Sequence, residues 1–286
     1  MQYLSGVHEV VDDYDGFVLD LWGVTHDGKK PYPGVLECLK KIKGADKKIV
    51  FLSNAPRRAW VVKARIEEMG INHNYYDEVI NSGEETHHYL KNQKDPFYEG
   101  LGRKCYHIGT EKDASLFEDQ DIERVSKIEE ADFILASDLI KPEDHPEQFK
   151  PILMEGIRRN LPMVCANPDH VVHVGGRLQY CAGALAHLYE ELGGQVKYHG
   201  KPFPSIYDFV RDHFPKGAKL LAVGDSFLTD VAGAHHAKMD VAFIGGGIHS
   251  EDLKVSYGEL PVETEMEKLC EHYQLRPTYV LPGLIW

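Results

Sequence analysis

The 286-residue sequence contains no apolar stretch approaching the roughly 18 residues of a membrane span, and its start, MQYLSGVHEVVDDYDG, lacks the basic and apolar regions of a secretory signal. A soluble, cytoplasmic protein is the expectation. Positive charge is also scarce: 32 Lys and Arg stand against 45 Asp and Glu, a formal charge of −13. That balance excludes a general nucleic-acid or anionic-membrane binder, because both need a surplus of cations facing phosphates. A small anionic substrate is not excluded, since a few local cations can overrule the global field. The five cysteines (Cys38, Cys105, Cys165, Cys181, Cys270) are odd in number, widely spaced and never in a CxxC pair. This removes the usual grounds for a disulfide framework, a zinc site or a cysteine nucleophile, and suits reduced thiols. Low-complexity tracts and repeats are missing too, so the length points to one larger folded domain or a core carrying an insertion.

What is present is a recurrence of short apolar runs rich in β-branched residues: Phe17 to Trp22, Lys48 to Asn54, Glu78 to Ser82, Lys104 to Ile108, Asp132 to Ala136, Met163 to Ala166, Leu220 to Gly224 and Val241 to Ile244. These read as buried strands. Helical spacing lies between them, as in Val35, Leu39 and Ile42 or Ala59, Val62, Ile66 and Met69. Alternating strand and helix predicts an α/β fold with a Rossmann-like parallel sheet, whose ligands bind beyond the carboxyl ends of the strands. Four such ends carry chemistry: Asp20 after GFVL, Ser53 after IVFL, Lys201 in HGKPFPS and Asp225 after LLAVG. The long gap between Ser53 and Lys201 holds strands and helices of its own. An inserted α/β cap is expected at 82–198, with the catalytic core formed by 1–81 and 199–286.

Phosphoryl transfer needs an in-line nucleophile, a divalent cation across the phosphoryl oxygens, and donors for the remaining charge. Asp20 can attack phosphorus and split one difficult displacement into two easier ones. In GDSFLTD, Asp225 ends a strand and Asp230 begins the next helical pattern, so both can face one pocket. Their hard carboxylate oxygens suit Mg²⁺. Ser53 and Asn54 offer a hydroxyl and an amide, and Lys201 a point charge.

DLWGVTHDG, SNAPR, GKP and GDSFLTD resemble, in order, the four motifs of the haloacid dehalogenase superfamily. ANPD, with Asn167 to Asp169 as its last three residues, and the following GALAHLYEELGG resemble the C2-type cap of its class IIA, the sugar-phosphate, nucleotide and p-nitrophenyl phosphatase group. The resemblance spans the chain and implies a phosphatase in which Asp20 is nucleophile and metal ligand. It further implies metal ligation by the Trp22 backbone carbonyl and Asp225, with Asp230 supporting the metal and Lys201. Asn167 and Asp169 would contact the leaving group of a small phosphorylated substrate, and a homodimer is common in this class.

One position departs from the pattern. Such phosphatases carry a second Asp two residues after the nucleophile, as general acid and base; here that residue is Trp22. Aryl or acyl phosphates, whose leaving groups need little protonation, are expected to outpace alkyl sugar phosphates, and His26 or Asp27 are the nearest substitutes. Phosphotransfer, or a sensor that kept the pocket and lost turnover, are the alternatives. The remaining features read as structural: His170 and His173 as solvated, His87-His88 and His235-His236 as helix-surface pairs, Gly245 to Gly247 as a turn after a strand. The 15 tyrosines form no recognisable stacking motif.

Overall fold

The computed structural model describes residues 1–174 and 177–286, apart from the side chains of His173, Val174 and Arg177, so the expectation for His173 lies outside the described residues. The strands, in chain order, are β1 (Gln2–Tyr3), β2 (Gly16–Leu19), β3 (Lys48–Ser53), β4 (Glu78–Asn81), β5 (Lys104–Ile108), β6 (Glu123–Val125), β7 (Phe133–Ala136), β8 (Met163–Cys165), β9 (Val171–Val174), β10 (Arg177–Tyr180), β11 (Val196–Tyr198), β12 (Leu220–Gly224), β13 (Asp240–Ile244) and β14 (Tyr279–Leu281). The chain divides into two compact units, Met1–Ser53 with Lys63–Ile80 and Lys201–Trp286, and Asn54–Val62 with Asn81–Gly200. The insertion expected at 82–198 falls inside the second unit, which also takes in Asn54–Val62.

The first unit is built on a seven-stranded sheet ordered β1-β14-β13-β12-β2-β3-β4, with parallel pairing from β1 through β3. Its central strands are buried along their whole length, GFVL and LLAVG without exception. Such continuous apolar runs are what a parallel sheet covered on both faces requires. Val18, Val50, Leu52, Val241 and Phe243 pack in one cluster with Ile206, Val210 and Phe227. The helix Val35–Gly44 buries Val35, Cys38, Leu39 and Ile42, the stripe expected from its 3-and-4 spacing.

In this order the chain runs outward from β2 to β3 and β4 on one side, and from β12 to β13 and β14 on the other. The switch point is therefore between β2 and β12, where a crevice opens beyond the strand ends. Register pairs Leu19 with Val223, so Asp20 and Asp225 leave neighbouring strands at the same edge.

The second unit has its own parallel sheet, ordered β11-β8-β7-β5-β6, and a separate antiparallel hairpin of β9 and β10. All eight expected runs form strands. The first ends at Leu19 rather than Trp22, because the Leu21 carbonyl accepts the amides of Thr25 and His26 in a turn and Gly23 takes φ +80°. The pieces that periodicity did not announce, such as β6 and β11, are three residues long, too short to show a period.

His87 corrects an expectation. It is 5% exposed, with Nε2 lying 2.8 Å from the Glu118 carbonyl and 3.1 Å from Arg58 Nη1. A segment about thirty residues further along covers that helix face, which local spacing cannot reveal. His88, His235 and His236 are exposed as expected, and Gly245 to Gly247 form a turn after β13. All five cysteines are free and buried. No helix among the described residues is long and apolar enough to cross a membrane.

Candidate active site

Asp20, immediately after β2, is 8% exposed. Its amide donates to the Val223 carbonyl at 2.9 Å, and its own carbonyl accepts the Thr25 hydroxyl at 2.6 Å, so its backbone is held on both sides. The Lys201 ammonium, 4% exposed, donates to Asp20 Oδ1 at 2.7 Å and to Asp230 Oδ1 at 2.6 Å. The other oxygen of Asp230 accepts the amides of Asp225 (3.2 Å) and Ser226 (3.1 Å). Asp230 thus ties the lysine to the turn that carries Asp225. It lies in a single π-helical turn, Phe227–Val231, begun by Ser226, whose hydroxyl accepts the Thr229 amide. Such turns recur at functional sites.

Asp225 is cradled by glycine. A Cβ at Gly23 or at Gly247 would lie 2.0 Å from its Oδ2, and the Ile248 amide donates to that oxygen at 2.7 Å. The glycines of Gly245 to Gly247 read in sequence only as a turn; the approach of Gly247 to a carboxylate more than twenty residues away was invisible there.

Carboxylate oxygens of Asp20, Asp225 and Asp230 lie within 4.8 Å of one another, all three residues buried. Three carboxylates around one ammonium leave excess negative charge out of water, a costly state. Burial, with the charges of Asp20 and Asp230, accordingly pushes Asp225 well above the usual carboxylate range. A hard divalent cation offsets both effects, so this donor set fits one.

Ser53, buried at the end of β3, stands on the strand next to β2. In the second unit, Asn54 Nδ2 donates to Asp169 Oδ1 at 2.9 Å, and the Asp169 amide donates to Asn167 Oδ1 at 3.1 Å. The structure thus joins Asp20, Lys201, Asp225 and Asp230 in one cluster, and Asn54, Asn167 and Asp169 in another.

Trp22 occupies a loop stiffened by its own contacts. Its ring meets that of His26 edge-on at 5.7 Å, and a Cβ at Gly28 would lie 2.3 Å from it. His26 Nδ1 accepts the Gly28 amide at 3.0 Å, and burial lowers the ring's pKa to about 4. Asp27 Oδ1 accepts the amides of Lys29 and Lys30, both at 2.9 Å. Both side chains expected as substitutes for the missing acid are thus engaged in shaping the loop.

Residues 17–123 match the family model described as haloacid dehalogenase-like hydrolase, and residues 198–285 a second, HAD-hydrolase-like model. A solved haloacid dehalogenase-like hydrolase from Brucella suis is 31% identical, covers 99% of this chain and 100% of its own, and superposes with a TM-score of 0.83. The chain belongs to the haloacid dehalogenase-like hydrolases and is a hydrolase of that family. Among curated proteins, the 4-nitrophenylphosphatase of Schizosaccharomyces pombe is 25% identical over 253 residues, 81% of this chain and 83% of that one. A glycerol phosphate phosphatase of Mycobacterium tuberculosis, solved in complex with magnesium, shares the fold at 22% identity and a TM-score of 0.66, over 95% of this chain and 76% of that one.

Proposed function

We propose that the protein is a Mg²⁺-dependent hydrolase of small phosphate monoesters that works through an aspartyl phosphate on Asp20. The observation that carries this reading is the buried Lys201 ammonium, set 2.7 Å from Asp20 and 2.6 Å from Asp230 with Asp225 beside them. Asp20, the Trp22 carbonyl and Asp225 would hold the ion, with Asp230 anchoring Lys201 and the turn. When bound, Mg²⁺ neutralises charge on the phosphoryl oxygens as a Lewis acid.

Lys201 fixes the Asp20 carboxylate and, with Ser53, stabilises the phosphoryl group in transfer. Asp20 attacks phosphorus; the bond to the leaving oxygen breaks and its electron pair departs with that oxygen. Water then cleaves the aspartyl phosphate, releasing phosphate and restoring Asp20. With Trp22 in the acid position and His26 and Asp27 committed to the loop, leaving groups that need little protonation, aryl and acyl phosphates, are favoured. Asn167 and Asp169 of the inserted unit, read as a cap, are assigned to the leaving group.

The same loop favours a second reading, phosphotransfer. Without a base to activate water, the aspartyl phosphate persists until another acceptor takes it.

The test is steady-state phosphate release from p-nitrophenyl phosphate, acetyl phosphate and glycerol phosphate, with Mg²⁺ or EDTA, by the wild type and Asp20→Asn. Release that needs Mg²⁺ and is lost in Asp20→Asn is expected, with glycerol phosphate slowest. A burst followed by slow release moves the reading to phosphotransfer, and no Asp20-dependent release removes the hydrolase.

A further inference from the structure

The loop carrying Asp20 and Trp22 is gripped from a distant part of the chain. Tyr257, in the segment between the helices Ser250–Leu253 and Glu263–Tyr273, donates its hydroxyl proton to the Val24 carbonyl at 2.7 Å. The same oxygen accepts the Leu284 amide at 2.8 Å, so one hydroxyl joins the last strand's exit to the nucleophile loop. The ring of Tyr257 stacks on that of Tyr32, with centroids 3.8 Å apart and planes 7° from parallel. Tyr32 in turn donates its amide to the Thr25 carbonyl at 3.1 Å. The carbonyls of Val24 and Thr25 are therefore both held by this pair, while the Thr25 hydroxyl holds the carbonyl of Asp20.

Space for the clamp is made by glycine. A Cβ at Gly246 would lie 2.5 Å from the Tyr257 backbone, and one at Gly283 would lie 2.7 Å from its ring. Gly246 stands beside Gly247, which approaches Asp225, so one turn accommodates both the clamp and the carboxylate.

We propose that Tyr257, seated on Tyr32, is a positioning residue that holds the Asp20–Trp22 loop in the geometry its metal requires. The proposal rests on the hydrolase reading only for its effect on turnover. Its effect on metal binding is separate, because the carbonyl expected to ligate the ion, that of Trp22, lies two residues from the carbonyl Tyr257 holds. Partners that orient a ligand without touching the metal commonly change metal affinity by about 10- to 100-fold.

Tyr257→Phe keeps the ring stack and deletes only the hydroxyl; Tyr257→Leu deletes both. Mg²⁺ is titrated calorimetrically into each full-length protein without substrate, and p-nitrophenyl phosphate release is followed against Mg²⁺ concentration, with Asp20→Asn as the control for the hydrolase reading. Tyr257→Phe is expected to bind Mg²⁺ about ten-fold more weakly, with KM for p-nitrophenyl phosphate within about two-fold of wild type, and Tyr257→Leu more weakly still. Weakened Mg²⁺ binding in Tyr257→Phe, together with wild-type protein that shows no Asp20-dependent release, would leave the clamp standing and remove the hydrolase. Wild-type Mg²⁺ affinity in a folded Tyr257→Phe protein overturns the clamp, even if its melting temperature falls.

Discussion

The two parallel sheets of this protein end in contrasting ways. At the carboxyl edge of the first unit, three buried carboxylates cluster around one lysine that pairs with two of them, so negative charge is in excess. Beyond the strand ends of the second, Asp113 is fully buried yet receives Arg57 Nε at 3.0 Å, the Ser137 hydroxyl at 2.9 Å and the Thr110 hydroxyl at 3.3 Å. A matched network holds structure in place, whereas an unmatched one stores the means to bind a cation and stabilise transferred charge. The same residue type has opposite meaning at the two edges, and the balance of charge around it tells them apart: one guanidinium beside Asp113, one ammonium among three carboxylates at the other edge.

That contrast breaks if the largest expected effect fails. Asp20→Asn should lower Mg²⁺-dependent phosphate release by about 10³-fold or more while leaving the melting temperature near wild type, because it removes the proposed nucleophile but little packing. Asp113→Ala should do the reverse: a loss of about 3 kcal/mol in stability, read by urea unfolding, since it strands Arg57 and Ser137. A normal unfolding midpoint for that variant would mean the second edge is not held by its polar network. Trp22→Asp restores the acid position and should raise glycerol phosphate release relative to acetyl phosphate by about 10²-fold. An unchanged ratio would show that protonation does not limit alkyl substrates.

The smallest effect sharpens the comparison, because one carboxylate of the second edge is poorly matched. Burial, then the neighbouring charge of Asp113, raises Asp138 from 3.8 to about 6. A folded pKa above the unfolded value means its contribution to stability is fully present below about pH 4 and is lost as pH rises through about 6. Asp138→Asn should therefore stabilise the protein at pH 8 by about 1 kcal/mol, allowing for partial solvent screening, and change little at pH 4. Thermal melts at the two pH values compare these directly, and equal shifts at both would contradict the assignment.

Much of this site was legible in the sequence because strand ends are local signals. GFVL before Asp20 and LLAVG before Asp225 mark buried strands, and a parallel sheet brings their ends to one edge. Asp225 was identifiable for the same reason, whereas Lys201, after the three-residue β11 of the other sheet, and Asp230, inside the π-helical turn, end no strand of this sheet and were identifiable only from the GKP and GDSFLTD motifs. What stayed hidden depends on partners far apart in the chain. Tyr257 reads as one tyrosine among fifteen, although it reaches Val24 across 233 positions. His87 has the spacing of a helix surface, and only the carbonyl of Glu118 and the guanidinium of Arg58 make it an interior residue.

By itself, then, the sequence determined the alternation of strand and helix, the strand ends that bear Asp20 and Asp225, and the absence of an acid at position 22. These follow from hydrophobic period and residue chemistry, which act over a few neighbouring residues. Only the tertiary structure decided that Lys201 lies between Asp20 and Asp230, that glycines 23 and 247 admit the Asp225 carboxylate, and that Tyr32 and Tyr257 stack beside the loop that follows Asp20. Those arrangements depend on packing and hydrogen bonds between segments remote in the chain, whose partners no local pattern specifies.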